Sequence, residues 1–317
     1  MRKPMKAHTL NTLEEIPKEW WGMLCQSVKL DGIRGFQEDG VTLSNTRKPL
    51  PNRYMQSIMS NSDFHLLDGE LVVGSPNAPD VYNRTQSGIM SRDGEPDFRF
   101  YAFDTMQPDI PFHERIQTLW ELEQKHPDVI RVVQQNTPET VEHAEKVYQD
   151  FLEEGFEGII LRRIDGGYKF GRSTFRQGWL MKLKPKDRAE GVIIGVDPQL
   201  KNCNPATLDE FGHTERSSHQ DNLIPQDLVG RFRLLIPGYD LVCGAGSGLT
   251  LPQRRELWPQ RHNLLGKIVT GEFLPIGVKD RPRQMIFKGF RDVSDLSSDH
   301  PILEPAFQEQ VKRILEK

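Results

Sequence analysis

Lys29 stands two residues before Asp31-Gly32 and five before Arg34 in the stretch SVKLDGIRG, and two more lysines, Lys182 and Lys184, alternate with apolar residues in WLMKLKP. A lysine amine attacks phosphorus only when unprotonated, so a nucleophilic lysine needs desolvation or neighbouring cations that lower its pKa. Lys29 ends an apolar run, the Asp-Gly turn lets Arg34 double back beside it, and Lys182 and Lys184, two apart on a strand, share a face. The same cations could hold a triphosphate. Taken alone, however, the string reads equally as a solvated turn beside a surface lysine.

The elements that must position these residues follow from periodicity. LCQSVKL, the segment around the hairpin signal Asp39-Gly40, HLLDGELVV and FRFYAFD read as strands. The Gly/Pro/Asn-rich segment between the last two reads as loop or short helix. PFHERIQTLWELEQKH has helical spacing, VIRVV is a short strand, and Thr137-Pro138-Glu139 signals a helix running to about Glu154. GFEGIILRR and WLMKLKP return to strand. After Lys186 the composition shifts. EGVIIGV, LVGRFRLLI, DLVCGAG and KIVTGEFLPI are short strands, interrupted by the helical RRELWPQ, and this pattern predicts a small five-stranded barrel. A boundary is expected near residues 186 to 190, dividing 1–188 from 189–317. The polar segment NCNPATLDEFGHTERSSHQDN predicts an exposed or disordered loop at about 201–222.

A chain of 317 residues fits about two domains. Charged residues make up 27% and hydrophobic ones 36%, which describes a wet-surfaced globular protein. Nothing in the chain demands a membrane, the N-terminus lacks the apolar run of a secretory signal, and the cytoplasm is the expected location. Cys25, Cys203 and Cys243 are too far apart in sequence for a disulfide framework or a four-cysteine zinc site. Cys203, His213 and His219 share a polar loop at spacings that fit no recognised zinc pattern. A net charge of -4 argues against polyanion binding by the whole surface, so a nucleic-acid role would need local basic patches.

Downstream of KLDGIR come LDGEL, FYAFD, EGIIL and WLMKLK, in that order. This ordered set resembles the covalent nucleotidyltransferases, the superfamily of ATP-dependent DNA ligases, RNA ligases and mRNA capping enzymes. KPMKAHTL, SNTRKPLPN, NRTQSGIMS with DFRFYAFD, GSGLTLPQRRELW and RPRQMIFKGFRD are similar to the small phage-type ATP-dependent DNA ligases, and they span both expected domains. The resemblance implies an α+β fold: an adenylating nucleotidyltransferase domain of antiparallel sheets with flanking helices, followed by an OB-fold β-barrel. It implies ATP and Mg2+ as cofactors, nicked duplex DNA as partner, and a monomer.

Position by position, the resemblance implies that Lys29 attacks the α-phosphate of ATP and becomes lysyl-AMP. Lys182 and Lys184 match the motif that binds that phosphate, and a cation pair suits charge developing on phosphoryl oxygens. Phe103 matches the aromatic that stacks on adenine, Ser27 a residue that contacts adenine partly through its backbone, and Glu70 the acid that binds the ribose hydroxyls. Glu157 matches the metal-holding acid, with Glu70 a second candidate, since a hard Mg2+ ion needs only one or two carboxylates. Each of these glutamates sits beside a glycine in an apolar strand, where an unpaired carboxylate is costly. Arg34 and Arg47 match basic residues that handle the nucleotide and the 5'-phosphate of the nick. Lys288, flanked by Arg281, Arg283 and Arg291, is the candidate to orient pyrophosphate, at a position where arginine is commoner. Arg162 stands where a lysine is usual after EGIIL. Tyr101, on the Phe103 face, is expected to pack.

The activity so implied is nick sealing in three steps: adenylation of Lys29, transfer of AMP to the 5'-phosphate, and attack by the 3'-hydroxyl that expels AMP. An RNA ligase or a GTP-using capping enzyme would share the lysine chemistry, and a non-catalytic OB-type nucleic-acid-binding protein would keep a degenerate transferase domain. GSGLTLPQRRELW and the C-terminal motif favour the DNA ligase.

Overall fold

The computed structural model describes residues 3–208, 214–217, 220–239, 241–274 and 282–316 and divides into two units, Met1–Pro185 and Lys186–Lys317. The first unit contains β1 (His8–Thr9), β2 (Leu24–Val28), β3 (Ile33–Glu38), β4 (Val41–Ser44), α1 (Arg53–Met59), β5 (Leu67–Val73) and α2 (Val81–Met90). It continues with β6 (Phe98–Thr105), α3 (Phe112–Lys125), β7 (Ile130–Val132), α4 (Val141–Glu153), β8 (Ile159–Arg163) and β9 (Met181–Leu183).

Alternation decides which side each strand offers. In β6 the sequence FRFYAFDT buries Phe98, Phe100 and Ala102 on one side and leaves Arg99, Tyr101 and Phe103 half-buried on the other. β9 buries Met181 and Leu183 and leaves Lys182 between them. Two sheets result, one in the order β4-β3-β5-β6-β7 and one in the order β1-β9-β8-β2. Both are antiparallel except for one parallel pair at an edge, β6 with β7 and β1 with β9. The outer face of the five-stranded sheet packs Leu71, Phe100 and Ala102 against Met55, Met59, Ile116 and Leu119 of α1 and α3. The four-stranded sheet packs Leu24, Ile159 and Leu161 against Ala144 and Tyr148 of α4. The β3–β4 hairpin closes on Asp39 (φ 50°) and Gly40 (φ 76°), the two positive dihedrals that a two-residue turn of this hand requires.

The helix signalled at Thr137-Pro138 begins later, at Val141, with Thr140 as its cap: the Thr140 hydroxyl accepts from the His143 N–H at 3.2 Å. Asn136 is bridged to Gln26 of β2, which pins the chain in extended form just before the helix.

The second unit contains β10 (Asp187–Asn202), β11 (Ala206–Leu208), β12 (Thr214–Arg216), β13 (Leu223–Leu235), β14 (Cys243–Ala245), α5 (Leu251–Leu257), β15 (Ile268–Leu274), β16 (Arg283–Arg291) and α6 (Pro305–Leu315). Five of these strands form one sheet, β14-β13-β10-β15-β16. β10 pairs with β15 through its first residues and with β13 through the rest, bending at register shifts between Ile193 and Leu200. Among the described residues, the hydrogen-bond ladders do not form the closed barrel expected here, and β14 and β16 remain the two edges. A bridge, Ser247 to Ile286, links the chain beyond β14 to β16.

The polar stretch at 201–222 is also more regular than expected: β10 runs on to Asn202, and β11 pairs with β12 as a short ribbon. Asn204 is buried, and its side-chain amide donates to the Ser217 carbonyl at 2.8 Å. His213, His219 and Arg281 lie outside the described residues. Among the described residues, no helix is long and apolar enough to cross a membrane.

Candidate active site

Between the two sheets of the first unit lies a cleft of about 420 Å³. The five-stranded sheet and its loops supply Arg34, Asn45, Glu70, Phe103 and Val133. The other sheet and its flanks supply Lys6, Ala7, Ser27, Val28, Lys29, Leu30, Ile160, Arg162, Arg172, Leu180 and Lys182.

Local sequence explains how the nucleophile candidate is held. Lys29 follows β2, and its N–H donates to the Gly158 carbonyl at 2.8 Å while Glu157 N–H donates back to the Lys29 carbonyl at 3.3 Å. Gly158 is required there: its φ is +151°, and a side chain would put a carbon 2.3 Å from the Leu183 carbonyl oxygen of β9. This pairing sets the Glu157 carboxylate, buried at 4% exposure, between the ammonium groups of Lys29 and Lys184, both of which donate to it. Lys29 also donates to the Leu30 carbonyl at 3.3 Å.

The electrostatics differ from the expectation of a depressed lysine. Burial alone lowers the Lys29 pKa, but the Glu157 carboxylate, and after it Glu70, outweigh burial and hold it above the ordinary lysine value. Lys29 is therefore an ammonium in this state. Burial and the neighbouring lysines hold Lys182 and Lys184 below the ordinary value. The Glu157 carboxyl, despite burial, is held below its ordinary value by Lys29 and Lys184.

Glu70 faces Arg34 across the β3–β5 pair. Among the described residues it makes no ion pair, and burial pushes its pKa up to about 7 against the pull of Lys29 and Arg34. Arg34 is fixed instead by Asp68, with Nε to Oδ1 at 2.9 Å and Nη2 to Oδ2 at 2.5 Å, and the Tyr168 hydroxyl donates to the same carboxylate at 2.6 Å. The Arg34 guanidinium carbon lies 5.3 Å from the Phe103 ring centre. Phe103 and Tyr101 pack beside Leu30, Val72 and Val133.

The cleft thus gathers Ser27, Lys29, Arg34, Glu70, Phe103 and Lys182, with Lys184 and Glu157 tied to Lys29. Arg47, expected among the nucleotide-handling residues, does not line this cleft: its guanidinium donates to Glu38 and lies 5.5 Å from the Phe36 ring centre. Its backbone is left-handed (φ 68°), and Asn45, two residues earlier, lines the cleft. Lys288 belongs to the second unit, where it pairs with Glu272 at 2.9 Å and is 43% exposed.

Sequence reasoning overlooked Lys6, Asn45 and Arg172 in the lining. It also overlooked a buried ion cluster behind the cleft. Asp104, the last residue of FYAFD, is fully buried and accepts from Arg115 (Nε to Oδ1, 2.6 Å; Nη2 to Oδ2, 3.2 Å) and from Arg162. The detectable signal was Arg115 on the apolar face of α3, four residues from Leu119 and one from Ile116.

Residues 4–184 match the family model described as the ATP dependent DNA ligase domain. The chain is 30% identical over 133 residues to a DNA ligase of African swine fever virus, a match covering 40% of this chain and 31% of that protein. The chain thus spans about a third of that relative's length. Among solved structures, the DNA ligase-adenylate of Chlorella virus matches with a TM-score of 0.51 and 27% identity, over 93% of this chain and 99% of that one. A structure from a study of Lig E DNA ligases matches with a TM-score of 0.64 and 22% identity, over 90% and 99%.

Proposed function

We propose, since the chain belongs to the ATP-dependent DNA ligase domain family, that it joins nicks in duplex DNA at the expense of ATP. The observation that carries this reading is the cleft itself, where the part-buried Lys29, a second lysine, an aromatic ring and a carboxylate line a single space.

In this reading adenine lies against Phe103 and meets the Ser27 backbone, the ribose hydroxyls meet Glu70, and the α-phosphate faces Lys29 with Lys182 and Lys184 beside it. Arg34, held by two bonds to Asp68, keeps a fixed positive charge next to the nucleotide. The Lys29 ammonium must give up its proton and leave Glu157 before its lone pair can form the N–P bond, and pyrophosphate then departs from the opposite side. Lys182 and Lys184 offset the charge that develops on the phosphoryl oxygens. In the second step the 5'-phosphate enters on the side pyrophosphate left, and the Lys29 amine is the leaving group. In the third, the 3'-hydroxyl attacks and AMP departs.

The donor set fits Mg2+. Glu157 and Glu70 offer hard oxygens, and no group of three or more metal-binding side chains exists among the described residues, so one or two carboxylates with phosphate and water would complete the ion. When bound, the ion would neutralise phosphate charge.

We read Met1–Pro185 as the adenylating domain and the second unit as an OB-type domain, a reading supported by its five strands and by the long, bent β10 shared between two neighbours. Its role is to bind the DNA backbone, with Arg47 on the first unit also serving the 5'-phosphate. Lys288 is proposed to orient pyrophosphate. Lys288→Ala then slows lysyl-AMP formation and spares sealing of pre-adenylated DNA.

The test is a nicked duplex with a 5'-phosphate, incubated with ATP and Mg2+. Ligated strand that requires both ATP and the 5'-phosphate supports the proposal. Sealing of nicked RNA alone, or protein labelling by GTP in place of ATP, contradicts it.

A further inference from the structure

Arg162 has no part in the lysine chemistry, yet among the described residues it is the one buried cation lining the cleft. It lies two residues past Ile160 on β8, so the two share a face, and both line the cleft. It is 3% exposed. One terminal nitrogen donates to Asp104, which Arg115 grips through two further bonds, so the guanidinium is anchored from behind by a fully buried pair. The guanidinium carbon sits 4.4 Å from the Phe112 ring centre and 6.0 Å from that of Phe103.

A guanidinium carries several N–H donors in a rigid fork. Among the described residues Asp104 is the only acceptor that meets those of Arg162. The lining also includes the apolar Val133, Ile160 and Leu180. Donors left unmet in such a wall are costly unless a ligand or water accepts them. Asp104 supplies one negative charge against two guanidiniums, so the cluster keeps a positive surplus. The cations of the phosphate end, Lys29 and Lys184, gather instead on Glu157.

We propose that Arg162 selects the nucleobase, donating from its Asp104-anchored guanidinium to a ring-nitrogen acceptor on the edge of the adenine held against Phe103. This rests on the reading of the cleft as the ATP site. Adenine offers N1, N3 and N7 as acceptors. Guanine keeps N3 and N7 but carries hydrogen on N1, so a contact to N1 also separates ATP from GTP.

The experiment measures the second-order rate of lysyl-AMP formation by the full chain with ATP and with its 1-deaza, 3-deaza and 7-deaza analogues, each lacking one acceptor. Wild type is expected to discriminate against one analogue about tenfold or more, the worth of a hydrogen bond to a charged donor. Arg162→Met loses that one discrimination and treats ATP and the analogue alike, and Arg162→Lys restores part of it. A merely structural role slows all four nucleotides by a common factor and overturns the proposal. Equal wild-type rates with all four overturn it too, even if Arg162→Met does not fold. No lysyl-AMP from ATP on wild type defeats the adenylation reading itself, and this inference with it.

Discussion

The Glu157 carboxylate holds the Lys29 ammonium, and their backbones are joined as well, Glu157 N–H to Lys29 carbonyl at 3.3 Å. Because Lys184 shares the same carboxylate, one buried anion fixes Lys29 and Lys184 together.

Replacing that anion by its neutral isostere should uncouple the pair. Glu157→Gln leaves two lysines, each about one-fifth exposed, without the carboxylate they share. The expected cost is about 1–3 kcal/mol in urea unfolding, below the range for fully buried pairs. Lysyl-AMP formation should fall by about 100-fold or more. Labelling at the wild-type rate would remove Glu157 from the site.

Glu70 makes stability depend on pH. Its folded-state pKa, about 7, lies above the ordinary 4.5. The folded state therefore favours the protonated carboxyl, and this contribution is full below pH 4.5 and lost as pH rises through 7. In protein free of nucleotide and divalent cation, Glu70→Gln should be more stable than wild type at pH 8 by roughly 2–3 kcal/mol. The advantage should vanish near pH 4. A pH-independent difference contradicts the assignment.

Phe103 should act on nucleotide binding more than on folding, since it is half-buried on the cleft side of β6. Stacking of a base on an aromatic ring is worth about 1–3 kcal/mol. Phe103→Ala should weaken ATP binding by roughly 5- to 150-fold, whereas Phe103→Trp should retain it. Calorimetric titration with ATP checks both, and unchanged affinity in Phe103→Ala would place the base elsewhere.

Sequence and structure part ways in instructive places. The alternation in FRFYAFDT and the Asp39-Gly40 turn are local, so period and turn chemistry suffice to read them. The pull of Glu157 on Lys29 is not local: 128 positions separate them, and the sequence showed the cations that lower a lysine pKa without the carboxylate that outweighs them. Asp104, Arg115 and Arg162 are charged residues that pattern reading assigns to surfaces, and nothing local records that three elements bring them together. The helix start was misplaced because Thr137 and Thr140 are both capping residues, and the bridge from Asn136 to Gln26, a tertiary contact, decides between them. The expected strand EGVIIGV is only the middle of the 16-residue β10, whose full length was not read because a bulged strand with a proline at 198 breaks the period-two pattern.

That buried cluster gives a stability prediction. Arg115 is 1% exposed and also donates to the Gly166 carbonyl at 3.1 Å. Arg115→Met leaves Asp104 with one ion-pair partner, Arg162, and should cost about 3–5 kcal/mol, the range for removing one partner of a buried ion pair. Urea unfolding checks it, and a loss below about 1 kcal/mol would mean the cluster is not load-sharing.

The most direct test of the central claim is to incubate the protein with α-labelled ATP and a divalent cation, digest it, and map the labelled peptide. AMP on Lys29, chased onto the 5'-phosphate of a nicked duplex and absent from Lys29→Ala, is the predicted result. Label on another residue, or equal label on Lys29→Ala, contradicts the account.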